Sequence, residues 1–330
     1  MKIILTQLFQ HQTLSQQQAY DIMLQIGKGE FSEHELTAFT TVFLMRSITL
    51  QELIGFREAI LHLSLPVQLQ ATDAIDIVGT GGDGKNTFNI STLACFIVAG
   101  AKQKVIKHGN YAASSISGSS NVLEFLGYKF KKDEELLNKE LSTAGICFLH
   151  APLFHPALKN VATLRKNLGV KTFFNLLGPL VNPAKPAYTL LGVANAATLR
   201  LYQYFIQQQK KAYTLIYTTD GYDEISLTAD TKVVTASTET VKSPYELGKR
   251  TVTATDLFGG ATISDAAKIF TNILNGKGSF SQNAVVLANA AMALYSTQRY
   301  LTYQDAYNAA VESLDSGAAL HAFNTLINMQ

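Results

Sequence analysis

The sequence predicts an α/β protein: a small N-terminal helical domain over residues 1–66, then a larger domain over residues 72–330 with a central, mostly parallel sheet flanked by helices. Three observations carry this prediction. Ser or Thr followed three positions later by Gln or Glu recurs through the first fifty or so residues, the capping-box signature of helix starts. From Ile75 a short apolar run, a glycine-rich loop, an apolar helix-length segment and a second short apolar run follow one another, which is the grammar of a βαβ unit. Strand-length apolar runs then recur between helical or loop segments of ordinary length.

Taken in order, the caps are expected at Thr13 with Gln16, Ser32 with Glu35 and Thr49 with Glu52. Apolar residues at helical spacing follow, as in Leu36, Phe39 and Phe43, then Leu53, Phe56 and Ile60. "SLPVQLQATD", with Pro66, breaks the pattern and reads as a linker. The first strand is expected over Ile75 to Val78, its helix at "LACFIVAGA" and the next strand at "KVIKHG". "GICFLHA", "YTLLGVA" and "AYTLIYT" continue the strands, and the Thr- and Val-rich stretch from Ser226 to Arg250 predicts a small antiparallel excursion. "DAAKIFTNILNG", "NAVVLANAAMALY" and "YQDAYNAAVESLDSGAALHAFNTLI" read as closing helices.

The 330 residues, 47% hydrophobic and 16% charged, have the composition of a globular chain with a sizeable core. A formal charge of +2 gives no reason to expect nucleic acid or an anionic membrane as the main partner, so any anion site must be local. No 18-residue apolar run and no leader pattern occur, and the expectation is a soluble, cytoplasmic protein. Cys95 and Cys147 lie in apolar stretches without metal-ligand spacing and are expected as buried, reduced thiols.

"DIVGTGGDGKNTFNIST", residues 76–92, satisfies G-x-G-x-x-G through Gly79, Gly81 and Gly84. It also meets all but the last position of G-x-x-x-x-G-K-[ST]. The second motif needs a hydroxyl after the lysine to hold magnesium, and Asn86 stands there. Asp83 would repel a close phosphate by about 4 kcal/mol at an effective dielectric near 20. The first motif expects an acidic residue at the end of the second strand, where Lys107 and His108 stand instead. What both motifs share survives: backbone N–H groups offered to an anion at a helix start, with Asn89, Ser91 and Thr92 as candidate caps. "KHGNYAASSISGSSNVLEFLG" adds polar groups where α/β folds bind ligands, before a helix that stops at Gly127.

"GTGGDGKNTFNIST", "KHGN" with the serine run after it, "HPALKNVATLRKNLGVKTFFNLLGPLVNPA" and "DGYDE" resemble, in order and spacing, the motifs of the anthranilate phosphoribosyltransferase family. The likeness runs from the N-terminal helices to "DSGAAL". It implies transfer of phosphoribosyl from phosphoribosyl pyrophosphate (PRPP) to the amine of anthranilate, in tryptophan biosynthesis. It further implies that a segment around 163–184 returns to the helical domain, that the protein is a homodimer and that the cofactor is Mg2+. By match to the family motifs, Gly79, Gly82, Asp83, Thr87, Asn89, Ile90, Ser91, Thr92, Lys107, Ser115 and Ser119 are implied at the PRPP site. Gly79, His108, Asn110, Pro152 and Arg165 are implied at the anthranilate site, and Ser91, Asp223 and Glu224 as metal ligands. The chain departs from the family pattern at Tyr111, where an arginine is usual, and at Tyr217-Thr218, where His-Gly is common. Two other readings of the same architecture stand beside this one: a pyrimidine nucleoside phosphorylase-like enzyme, and a non-catalytic nucleic-acid-binding relative.

Overall fold

The computed structural model describes residues 1–111 and 117–330, so Ser115, implied above at the PRPP site, lies outside the described residues. The chain forms two compact units, Met1–Val67 with Ala151–Lys185, and Gln68–His150 with Pro186–Gln330.

The first unit is helical. Its N-terminal part comprises Lys2–Phe9, Gln16–Lys28, Glu33–Met45 and Leu50–His62, and its C-terminal part includes Lys159–Leu168 and Phe174–Leu177. The boxes at Ser32 and Thr49 form as expected, each side-chain oxygen accepting an amide and each glutamate reaching back. The first box is displaced by two residues: Ser15, not Thr13, caps the helix, and Gln18, not Gln16, answers it. Both spacings fit the signature, and a tertiary bond decides between them. The amide of Leu14 donates to Glu52 Oε1 at 2.9 Å with Leu14 itself buried, so the helix starts after that anchor. The helix Lys2–Phe9 carries no side-chain cap, so the cap signature could not find it.

Two features hold this unit together. Phe39, Phe43 and Phe56 from the N-terminal helices meet Phe173 from the C-terminal segment, with ring centroids 4.8–6.0 Å apart. Such tilted and edge-on pairs add to the burial of the rings themselves. Beside them Glu52, with no exposed surface, accepts bonds from Arg46 at 2.6 and 2.9 Å, from the amides of Leu14 and Thr49, and from the Thr49 hydroxyl. Burial acts to raise the Glu52 pKa, but Arg46 and the amides outweigh it and hold the carboxyl below its ordinary value.

The second unit is built on seven strands: β1 Ile75–Gly79, β2 Val105–Gly109, β3 Ile146–His150, β4 Tyr188–Gly192, β5 Ala212–Thr218, β6 Thr231–Val234 and β7 Glu239–Lys242. They lie in the order β3-β2-β1-β4-β5-β6-β7. The first five are parallel, and β6 and β7 pair antiparallel, which is the excursion that the Thr- and Val-rich stretch predicts. The helix Ile90–Gly100 is apolar on nearly every side because the sheet and the helices Phe280–Ser296, Tyr303–Asp315 and Ala318–Asn328 surround it. The last closing helix read from the sequence is in fact two, divided where Gly317 takes a left-handed φ of 76°. Cys95 and Cys147 are free and buried, and burial pushes the Cys95 thiol up to about 12 and the Cys147 thiol well above its usual range. Among the described residues, no helix is long and apolar enough to cross a membrane.

Glu52→Ala strands Arg46 and two amides, and a loss of about 3–5 kcal/mol in unfolding free energy is expected from denaturant titration. Because the folded-state pKa of Glu52 is depressed, its stabilisation is present above the ordinary carboxylate range and is lost as pH falls through the folded value. The difference between wild type and Glu52→Ala should therefore shrink in acid; a constant difference would overturn the assignment.

Candidate active site

Strand order places the site. From β1 the chain crosses to β2 on one side, and from β4 to β5 on the other, so the direction of winding reverses between neighbouring β1 and β4. In open α/β sheets the crevice at the carboxyl ends of such a pair receives ligands. Here those ends are Gly79 and Gly192, which face each other in register. Asp223 fills the space above both. A Cβ on Gly79 would strike the Asp223 carboxylate, and one on Gly192 would strike the Asp223 main-chain carbonyl. The two glycines therefore serve close approach.

The loop after β1 turns through Gly81 and Gly82, with φ of 66° and 69°, and the Gly81 amide donates to Asp223 Oδ2 at 2.6 Å. Asp83 accepts the amide of Lys85 at 3.0 Å. The loop is also tied to a distant segment: Gly259 N–H donates to the Asn86 carbonyl, Phe88 N–H to the Leu257 carbonyl, and Thr87 bridges Phe258. Nothing in the local sequence signals this tether, because its two halves lie far apart in the chain. Asn89 stands at the N-cap position as expected, but its side chain does not cap; Nδ2 donates to the Ser117 carbonyl at 3.1 Å. Its Oδ1 is buried and accepts no hydrogen bond among the described residues. Ile90 and Thr92 are buried, whereas Thr87, Asn89 and Ser91 keep partial exposure.

Opposite this helix start lies the turn after β5. The Ser91 amide donates to Glu224 Oε1 at 2.9 Å, so the three residues implied as metal ligands, Ser91, Asp223 and Glu224, share one corner. Burial raises the carboxyl pKa of both Asp223 and Glu224, and repulsion from Asp83 adds to it; Asp223 further raises Glu224. Among the described residues neither carboxylate forms an ion pair. No group of three His, Cys, Asp or Glu side chains suited to a metal occurs among the described residues. A cation here would complete its shell with a hydroxyl, water and ligand oxygens, the habit of a hard cation such as Mg2+.

Lys107 and His108 are buried within β2. The Lys107 ammonium donates to the carbonyl of Ile77 on β1, and the His108 amide donates to Asp76 Oδ1 at 3.2 Å. Beyond the strand, the Ser119 hydroxyl donates to the carbonyl of exposed Asn110 at 3.3 Å. Tyr111, in the place of the usual arginine, donates to Glu124 at 2.8 Å and sets its ring edge-on to His150, centroids 4.7 Å apart. Pro152 and Arg165 belong to the helical unit, on the helices Ala151–Phe154 and Lys159–Leu168. The Arg165 guanidinium lies 5.6 Å from the centroid of the Phe174 ring and forms no ion pair among the described residues.

Residues 71–320 match the glycosyl transferase family, a/b domain, and residues 2–64 match that family's helical bundle domain. The anthranilate phosphoribosyltransferase of Flavobacterium johnsoniae is 52% identical over 99% of this chain and 98% of its own. That of Bacteroides thetaiotaomicron is 50% identical over 100% and 99% respectively. Among solved structures, the anthranilate phosphoribosyltransferase of Thermus thermophilus superposes with a TM-score of 0.92 at 29% identity, over 98% of both chains. The Saccharomyces cerevisiae enzyme, in complex with PRPP and Mg, gives 0.89 at 26% identity over 96% of this chain and 93% of the other.

The two glycines differ in what a methyl group would meet, and that difference is measurable. Gly192→Ala presses on main chain and is expected to cost about 1–3 kcal/mol of stability; Gly79→Ala presses on the end of a side chain and should cost less. Thermal unfolding of the two variants checks the order, and the reverse order would count against Asp223 as the constraint.

Proposed function

The chain belongs to the anthranilate phosphoribosyltransferase family, and on that premise we propose how its residues carry the reaction. The enzyme transfers phosphoribosyl from PRPP to the amine of anthranilate and releases pyrophosphate. The amine lone pair forms the new bond to C1 of the ribose, the C1–O bond breaks, and the pyrophosphate oxygen keeps the electron pair. The ammonium formed on a weakly basic aromatic amine gives up its proton readily. No strong general base is needed, and positioning with electrostatic stabilisation carries the rate.

The observation that carries the assignment is the meeting, at the sheet's switch point, of a glycine loop with a carboxylate pair, Asp223 buried and Glu224 half-buried, that no side-chain cation neutralises among the described residues. Gly79, Gly82, Thr87, Asn89, Ser91 and Thr92, with the main chain of Ile90, surround the donor's phosphates, and Asp83 accepts from a sugar hydroxyl or a metal-bound water. Lys107, Ser119 and Ser115 complete the phosphate contacts, Lys107 by leaving the Ile77 carbonyl. Ser91, Asp223 and Glu224 hold Mg2+, which when bound offsets the negative charge of the departing pyrophosphate. The mutually repelling carboxylates, Asp223 buried and Glu224 half-buried, support this, since a divalent cation relieves both the desolvation and the repulsion. Arg165 pairs in bidentate fashion with the anthranilate carboxylate, supported by its lack of a carboxylate partner among the described residues and its placement over Phe174. Gly79, His108, Asn110 and Pro152 contact the same substrate.

The reading extends to assembly and location. The exposed apolar side chains of Ile3, Phe9, Leu44 and Met45 on the helical unit support a homodimer formed through that unit. Two free buried thiols support a reducing, cytoplasmic setting.

Loss of anthranilate fluorescence on adding PRPP and Mg2+ tests the activity. No turnover across magnesium concentrations, together with nucleic-acid binding that weakens steeply with salt, would replace this reading with the non-catalytic one. Arg165→Ala should raise the KM for anthranilate by about ten-fold to a hundred-fold, the worth of a charge-assisted pair. Asp223→Asn should act on the magnesium and PRPP dependence instead; equal effects of both changes on both substrates would sink the division of roles.

A further inference from the structure

The turn that carries Asp223 and Glu224 is held by two side chains that the reaction scheme does not use. Thr218, the last residue of β5 and fully buried, donates its hydroxyl proton to the main-chain carbonyl of Glu224 at 2.7 Å. Its oxygen also lies 3.0 Å from the Thr231 hydroxyl on β6. A hydroxyl has one proton to give, so Thr231 is the donor in that second bond. Thr218 is thereby fixed from one strand while it fixes the turn.

Asn289 acts on the next residue. It lies in the middle of the helix Phe280–Ser296, is 2% exposed, accepts the Ile225 amide at 3.0 Å, and donates to the Ile225 carbonyl at 2.8 Å and the Val285 carbonyl at 2.9 Å. Donor and acceptor partners leave one orientation for its amide group. An asparagine is a poor helix former and costly to bury, and every other residue from Ala284 to Leu294 in this helix is apolar and buried. Its bonds serve the turn more than the helix, since only one of the three is to its own helix.

Such a clamp answers a physical problem. Buried Asp223 and half-buried Glu224 are adjacent carboxylates with no ion-pair partner among the described residues, and their like charges act to spread the turn. We propose that Thr218 and Asn289 are positioning residues that fix the Glu224–Ile225 main chain, so that the two carboxylates stand together and ready for the divalent cation. The proposal rests on the assignment of Asp223 and Glu224 to Mg2+. It also gives the departure at Thr218 a role: a hydroxyl at this position supplies a bond to the turn that a glycine there could not.

The test pairs Thr218→Val, which keeps shape and removes the hydroxyl, with Thr218→Ser, which restores it. Binding of Mn2+ in the presence of PRPP is followed by water-proton relaxation, alongside steady-state turnover and thermal unfolding. Thr218→Val is expected to weaken cation binding by about ten-fold, the usual cost of losing a group that orients a metal ligand. The Mg2+ concentration for half-maximal turnover should rise in step, the KM for anthranilate should stay within about two-fold, and Thr218→Ser should recover most of the loss. Asn289→Ala should show the same signature, and if it fails to fold the Thr218 pair decides. A lowered melting temperature with unchanged cation binding, or an equal rise in the KM for anthranilate, would overturn the proposal by making the clamp merely structural. Failure of the underlying metal assignment reads differently: the wild-type enzyme would then bind no Mn2+ with PRPP, and the proposal would fall with it.

Discussion

The α/β unit depends on one crowded contact, Asp223 packed over the facing glycines at the ends of β1 and β4. Removing side chains from two adjacent strand ends opens the crevice at the switch point, and the turn after β5 fills part of it with a carboxylate. The amide of Gly81 then bonds that carboxylate, so the glycine loop takes its course from the acidic turn as much as from its own sequence. The same turn reaches the start of the helix Ile90–Gly100 through Glu224 and Ser91. Loop, turn and helix start are thus one bonded object, and displacing any of them displaces all three.

The helical unit solves a simpler problem by similar means. Glu52 is an internal hub whose partners come from its own cap, from Arg46 and from the amide of Leu14, thirty-eight residues away. One buried carboxylate is satisfied here by five donors and lies below its usual pKa, while Asp223 and Glu224 are pushed above theirs. The contrast is chemical. Glu52 has a guanidinium, and the pair at the switch point has amides and like charges, which marks Glu52 as structural and the pair as a place that a cation would complete.

How much of this the sequence carries depends on whether the cause is local. Capping boxes at Ser32 and Thr49, the strand runs and the antiparallel excursion are local in origin and legible. The displaced first cap is not, because the bond from Leu14 to Glu52 chose between two equal local spacings. The tether of Asn86–Phe88 to Leu257–Gly259 likewise joins segments with no shared motif. At the site, the resemblance to a known family named Ser91, Asp223 and Glu224, and the bonds bring them to one corner. Thr218 shows in the sequence only as a departure from the family pattern, and nothing there singles out Asn289 within its closing helix. Their hydrogen bonds tie a strand end and a mid-helix position to the same turn, which periodicity does not record.

Lys107 shows why a residue's address in the sequence does not fix its state. The sequence puts it at the end of the second strand, where a phosphate ligand would suit, yet it stands mid-strand in β2 with its ammonium buried on the Ile77 carbonyl, one strand over. A neutral carbonyl satisfies one of three ammonium protons and does little for the charge, so an anion arriving at the loop would compete well for it. A lysine held this way is spared full solvation. The carbonyl it would leave behind belongs to β1, two residues before Gly79, which places the cost of the exchange inside the strand that builds the site.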